Sequence, residues 1–99
     1  MIYVTRTGSI APGKAPAAHA FAQKVATHWK TEWDRTLEIR RPIGGNPNRI
    51  AWVGQYKDLA EYEAVTVKSS TDPKFMDLLV TASDLFIPGS INDEIWKAA

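Results

Sequence analysis

The chain changes its hydrophobic period four times, and each change marks an element. Ile2 to Ile10 alternates in the manner of a strand, with Tyr3, Val4, Thr5 and Thr7 favouring extended backbone. The run stops at Gly8-Ser9 and Ala11-Pro12-Gly13. From Pro16 to Trp33 the period becomes helical: Ala18, Phe21, Ala22, Val25, Ala26, Trp29 and Trp33 step by three and four along one stripe. Pro16 suits the first turn, where no helical partner waits for its missing N–H. Thr36 to Ile43 alternates again, Leu37, Ile39 and Ile43 against Glu38 and Arg40, with Pro42 marking an edge or a bulge. Gly44-Gly45-Asn46-Pro47-Asn48 is a turn signal, after which Arg49 to Lys57 resumes as the second arm of an antiparallel hairpin.

Asp58 and Glu61 have the spacing of a capping box and open a helix carrying Leu59, Tyr62, Ala64 and Val65. It falters at Ser69-Ser70-Thr71, and Asp72-Pro73 restarts it with Phe75, Leu78, Leu79, Ala82 and Phe86 as its stripe. Pro88-Gly89 ends that segment. Ser90 to Lys97 reads as a last strand, or as a short helix. The order β-α-β-β-α-(α)-β predicts an α+β chain: a ferredoxin-like βαββαβ unit with an antiparallel four-stranded sheet and helices on one face. Residues 1–99 make a single domain on this reading.

Helices on one face leave the other to be explained. Strand parity groups Ile2, Val4, Leu37, Ile39, Ala51 and Val53 as the face under the helices. Tyr3, Thr5, Thr7, Glu38, Arg40, Trp52, Gly54 and Tyr56 then form the open face. Two large aromatics on an open sheet are an interaction surface, so two copies packing sheet to sheet into a dimeric barrel are expected. The plainer alternative is a pair of amphipathic surface residues.

Composition narrows the chemistry. The 99 residues are 44% hydrophobic and 23% charged, with 12 basic against 11 acidic side chains. This flat balance gives no general attraction to nucleic acid or an anionic membrane. The lack of cysteine excludes disulfides, thiolate catalysis and sulfur-ligated zinc. No apolar run reaches the length of a membrane span and no signal peptide is evident, which fits a cytoplasmic protein.

The order of local signals resembles the NIPSNAP-like branch of the dimeric α/β-barrel superfamily, which also holds the antibiotic-biosynthesis monooxygenases. The signals are the strand ending at Gly8 before a helix with Trp29, and the hairpin entering Trp52-Val53-Gly54-Gln55-Tyr56. Asp58-Leu59-Ala60-Glu61-Tyr62-Glu63, Asp72-Pro73, and Leu85-Phe86-Ile87-Pro88-Gly89-Ser90 before Ile95-Trp96 complete them. The resemblance implies a ferredoxin-like protomer that dimerises through its sheet. Some members of the wider superfamily are cofactor-independent oxygenases or haem-degrading enzymes that use an early-strand Asn, a Trp and a helical His. Here Thr5 and Arg6 occupy the place of that Asn.

Candidate chemistry is sparse. His19 and His28 lie nine residues apart on one helix, about 2.5 turns, and project from opposite sides, so no shared metal site is expected. His28, beside Trp29, either lines a pocket or complements the helix dipole. Glu38 and Arg40 share a strand face, as an ion pair or as the polar end of a ligand site, Arg40 binding a carboxylate or phosphate. Arg35, Arg40, Arg41 and Arg49 form a modest basic cluster without a nucleic-acid motif. A homodimer binding a small amphipathic or aromatic molecule at Tyr3, Glu38, Arg40, Trp52 and Tyr56, either in the cleft between sheet and helices or in the cavity between the two sheets, is the main expectation, with no metal or cofactor. A cofactor-free oxygenase or isomerase with His28 or Tyr56 as general base is the second. A structural dimerisation module is the third.

Overall fold

The computed structural model describes all residues 1–99. Strand β1 is Ile2–Ser9, followed by helix α1 (Ala15–Trp33), strands β2 (Glu38–Arg40) and β3 (Arg49–Tyr56), helices α2 (Leu59–Thr71) and α3 (Pro73–Val80), and strand β4 (Asn92–Lys97). The strands form one sheet in the order β2-β3-β1-β4, every neighbouring pair antiparallel. The helices cover one face, and the architecture is the expected ferredoxin-like one. The ambiguous tail is a strand, paired with β1 from Thr7↔Asn92 to Ile2↔Lys97.

Local signals act at the boundaries. Asp58 opens α2 by accepting from the Glu61 N–H at 2.9 Å, while Glu61 reaches back to the Lys57 N–H at 2.8 Å, one residue before the expected partner. Asp72 closes α2 and opens α3, its Oδ1 accepting from the N–H of Lys74 at 2.9 Å. Asp34 takes a left-handed conformation (φ 52°) after α1, so that its N–H and that of Arg35 bond back to Lys30 and Trp29. Strand β2 is only three residues long, because Pro42 and the turn residues after it cannot continue a ladder. Helix α3 ends at Val80; Phe86 is not on it but pairs with Ile10 in an isolated bridge.

One assignment is reversed. Trp52 and Tyr56 lie under the helices, 7% and 3% exposed, and not on the open face. Residues paired across antiparallel strands share a face, and Trp52 pairs with Ile39 and Arg6, Tyr56 with Ile2. Ala51 and Val53 pair with Arg40 and Glu38 and point the other way. The cause is register: a one-residue slip exchanges the two faces of a strand. Trp52 instead packs edge-on against Phe21 at 6.3 Å and close to Phe86 at 6.0 Å, its indole N–H donating to the Ala22 carbonyl at 3.4 Å. Around it lie Ile10, Ala18, Ala22, Val25, Ile50, Phe75 and Leu85. A smaller cluster of Ile2, Val4, Tyr56 and Val65 fills the far end.

The open face therefore carries Tyr3, Thr5, Thr7, Glu38, Arg40, Ala51, Val53 and Gln55, with Trp96 beside Tyr3. Trp96 is 63% exposed. No helix is long and apolar enough to cross a membrane.

Candidate functional site

Between the helices and the sheet lies a cavity of about 290 Å³, at the lower end of the range of small-molecule sites. Its floor is Val4, Arg6, Trp52, Gly54 and Tyr56; its walls come from Phe21, Val25 and Trp29 of α1, Tyr62, Thr66 and Ser69 of α2, and Phe75 and Leu79 of α3. Leu37, Ala82, Phe86 and Ile91 complete it. Gly54 makes the floor possible. A Cβ there would stand 3.0 Å from Tyr56 Cε2 and Oη and 3.2 Å from Leu37 Cδ2, so the Tyr56 ring lies across a position that only glycine leaves free.

Polar groups are few. Arg6 is the single ionised side chain on the lining; its Nε and Nη2 donate to the two carboxylate oxygens of Asp93 at 2.7 and 2.8 Å. The pairing raises the Arg6 pKa and lowers that of Asp93. Thr66 and Ser69 donate their hydroxyls to the carbonyls of Tyr62 and Thr66, leaving oxygen lone pairs for a visitor. Burial pushes the Tyr56 phenol up to about 12, helped by Tyr62, while Arg35 opposes the shift from 5.7 Å above the ring. The phenol therefore stays a neutral hydrogen-bond donor at physiological pH. Arg35 is held there by Glu61.

Of the expected site residues, the structure gathers only Trp52 and Tyr56 at this cavity. Tyr3, Glu38 and Arg40 lie on the opposite side of the sheet, where Arg40 Nε donates to Glu38 Oε1 at 3.0 Å as an exposed ion pair. His28 is not on the lining. Its ring stacks on Phe75 at 5.5 Å and meets Trp33 edge-on at 5.3 Å, and its Nε2 donates to Asp72 Oδ2 at 2.8 Å. This bond ties α1 to the α2–α3 joint. Sequence reasoning did not reach Arg6, Tyr62 and Asp93. Arg6 shares its parity with Ile2 and Val4, and a charge on an otherwise apolar strand face was the available signal. No group of three or more His, Cys, Asp or Glu side chains is placed to hold a metal ion.

The two aspartates set an acid limit. Asp72 is held below the usual carboxylate range, first by the His28 hydrogen bond and then by the Lys74 and Phe75 N–H groups; Asp93 is held there by Arg6. A depressed native pKa adds stability that is complete above the unfolded value of about 3.9 and is lost as pH falls through the native one. Urea midpoints should therefore fall below about pH 4, and less steeply for Asp72→Asn than for the parent. An identical acid slope in both would show that Asp72 is not so held.

The sequence matches no family model and no curated relative. Solved structures do match, over the whole chain. A NIPSNAP domain protein from Burkholderia xenovorans superposes with a TM-score of 0.85 at 18% identity, covering 100% of this chain and 95% of that one. A NIPSNAP family protein of unknown function from Agrobacterium tumefaciens gives 0.84 at 20% identity, covering 100% and 88%. The fold is that of the NIPSNAP proteins. It extends to a protein from Deinococcus radiodurans named as a candidate antibiotic biosynthesis monooxygenase, at 0.74 and 11% identity, covering 100% and 93%. The NIPSNAP fold sets the sheet and the covering helices; what the cavity takes depends on this chain's own side chains.

Proposed function

We propose that this NIPSNAP-like protein binds a small amphipathic organic molecule in the cavity between sheet and helices. The observation that carries this reading is the composition of the lining: a half-open, largely apolar pocket of about 290 Å³ with one guanidinium and two phenols on it. Apolar walls with a few placed polar groups are the usual make-up of a small-molecule site. Binding is favoured over general-base catalysis by the same lining. It holds no carboxylate and no imidazole, and the Tyr56 phenol is a poor base.

The neutral fluorophore N-phenyl-1-naphthylamine tests this. Its emission should rise on mixing with the protein and saturate at one molecule per chain. Ser69→Phe, placing a ring at the α2 wall of the cavity, should weaken that binding at least tenfold while the circular dichroism stays unchanged. Unaltered binding in the variant would place the probe elsewhere and remove the reading.

The open sheet face supports a homodimer as part of the same proposal. Trp96 and Tyr3 lie side by side there, with Val53 at its centre, and such a face is stable in water only at the cost of exposed aromatic surface.

A further inference from the structure

We propose that Asp93 makes the cavity selective for uncharged polar head groups (alcohols, ketones, amides) and turns carboxylates away; this rests on the cavity being a binding site. An arginine facing an apolar pocket ordinarily reads as an anchor for an anion. Here it is already engaged. Asp93, its register partner on β4, occupies Nε and Nη2 in a two-point contact, and the pair as a whole is neutral. Nη1 takes no part in any hydrogen bond within the protein, so its two N–H groups and the second N–H of Nη2 remain for a ligand oxygen.

A carboxylate arriving at Nη1 would bring a second negative charge beside Asp93, and no other cation lines the cavity to compensate it. It would also have to shed water on entering apolar walls. An alcohol or amide meets neither cost, and its oxygen can accept from the free Arg6 N–H groups. The remaining polar groups agree: the Tyr56 phenol is neutral, and Thr66 and Ser69 offer acceptors. Nothing in the lining is built to hold a net charge. Asp93 thus acts through Arg6, as a specificity-determining residue.

The test uses octan-1-ol and octanoate, two chains of equal length, as competitors of N-phenyl-1-naphthylamine. Any apolar cavity prefers the alcohol, so the diagnostic quantity is the change on Asp93→Asn, which keeps a hydrogen-bonding group beside Arg6 and removes the charge. Octanoate affinity should rise at least tenfold in the variant, and octanol affinity should stay within about threefold of the parent. Asp93→Ser removes the same charge and reads the same change should the first variant misfold. An octanoate affinity that does not move overturns the selectivity proposal and leaves the cavity a binding site. Failure of both competitors to displace the fluorophore from the parent protein, or failure of the fluorophore to bind, overturns the cavity reading itself.

Discussion

Trp52→Glu and Val53→Lys, one residue apart, should have opposite consequences. The first should abolish the native fold; the second should leave each protomer folded and break the dimer. Trp52 is the central aromatic of the larger core, 7% exposed, set between Phe21 and Phe86 with its N–H bonded to Ala22. Truncating such a residue costs about 3–5 kcal/mol, and a buried carboxylate adds to that. A domain of this size has only about 5–15 kcal/mol to lose. Val53 faces away from the helices, opposite Glu38 on β2, and although only 9% exposed within the protomer it lies outside the helix-covered core, so a lysine there can turn to Glu38 as its cross-strand partner. Light scattering should find the parent near twice 11.0 kDa and Val53→Lys near 11.0 kDa with parental circular dichroism. A folded Trp52→Glu protein would refute the face assignment. A parent at 11.0 kDa would refute the dimer.

Phe75→Ala should be nearly as damaging, at about 3–5 kcal/mol. Phe75 is the ring against which α1 rests on α3. His28 stacks on it at 5.5 Å, and Trp29 and Trp33 meet it edge-on at 6.3 and 5.7 Å. Its removal enlarges the cavity wall and strips support from His28, so the hydrogen bond to Asp72 weakens with it. Urea unfolding followed by tryptophan emission would register the loss. A midpoint shift below about 1 kcal/mol in equivalent stability would mean that the aromatic cluster collapses into the gap.

The elements of this fold were legible because their signals are local. Alternation marks β1, the three-and-four stripe marks α1, and Asp58 and Asp72 mark helix starts by side-chain bonds made within three residues. The face of β3 was not legible. Both of its parities are apolar, Ile50, Trp52 and Tyr56 on one side and Ala51 and Val53 on the other. Its side is set by the pairing of Ile39 with Trp52 across an irregular connection, which no local pattern specifies. The resemblance to NIPSNAP proteins predicted the fold found among the solved structures but could not repair this, since a shared fold does not fix which residue faces the cavity. Arg6 escaped for a related reason. Its significance depends on Asp93, 87 positions away, in a stretch that by itself read equally as a strand or a short helix.

That separation has a consequence for how the protein is made. β1 is an inner strand of the sheet, yet its β4 side stays without a partner until the last of the described strands is synthesised. At roughly 5–20 residues per second the ribosome leaves β1 half-paired for several seconds, with an unsatisfied edge beside an apolar surface. β4 itself offers little to speed its own arrival, since all six of its residues are exposed and its anchorage is the ladder to β1. The counter-ion of Arg6 thus arrives only with the last of the described strands, and until then the guanidinium on β1 is without its partner.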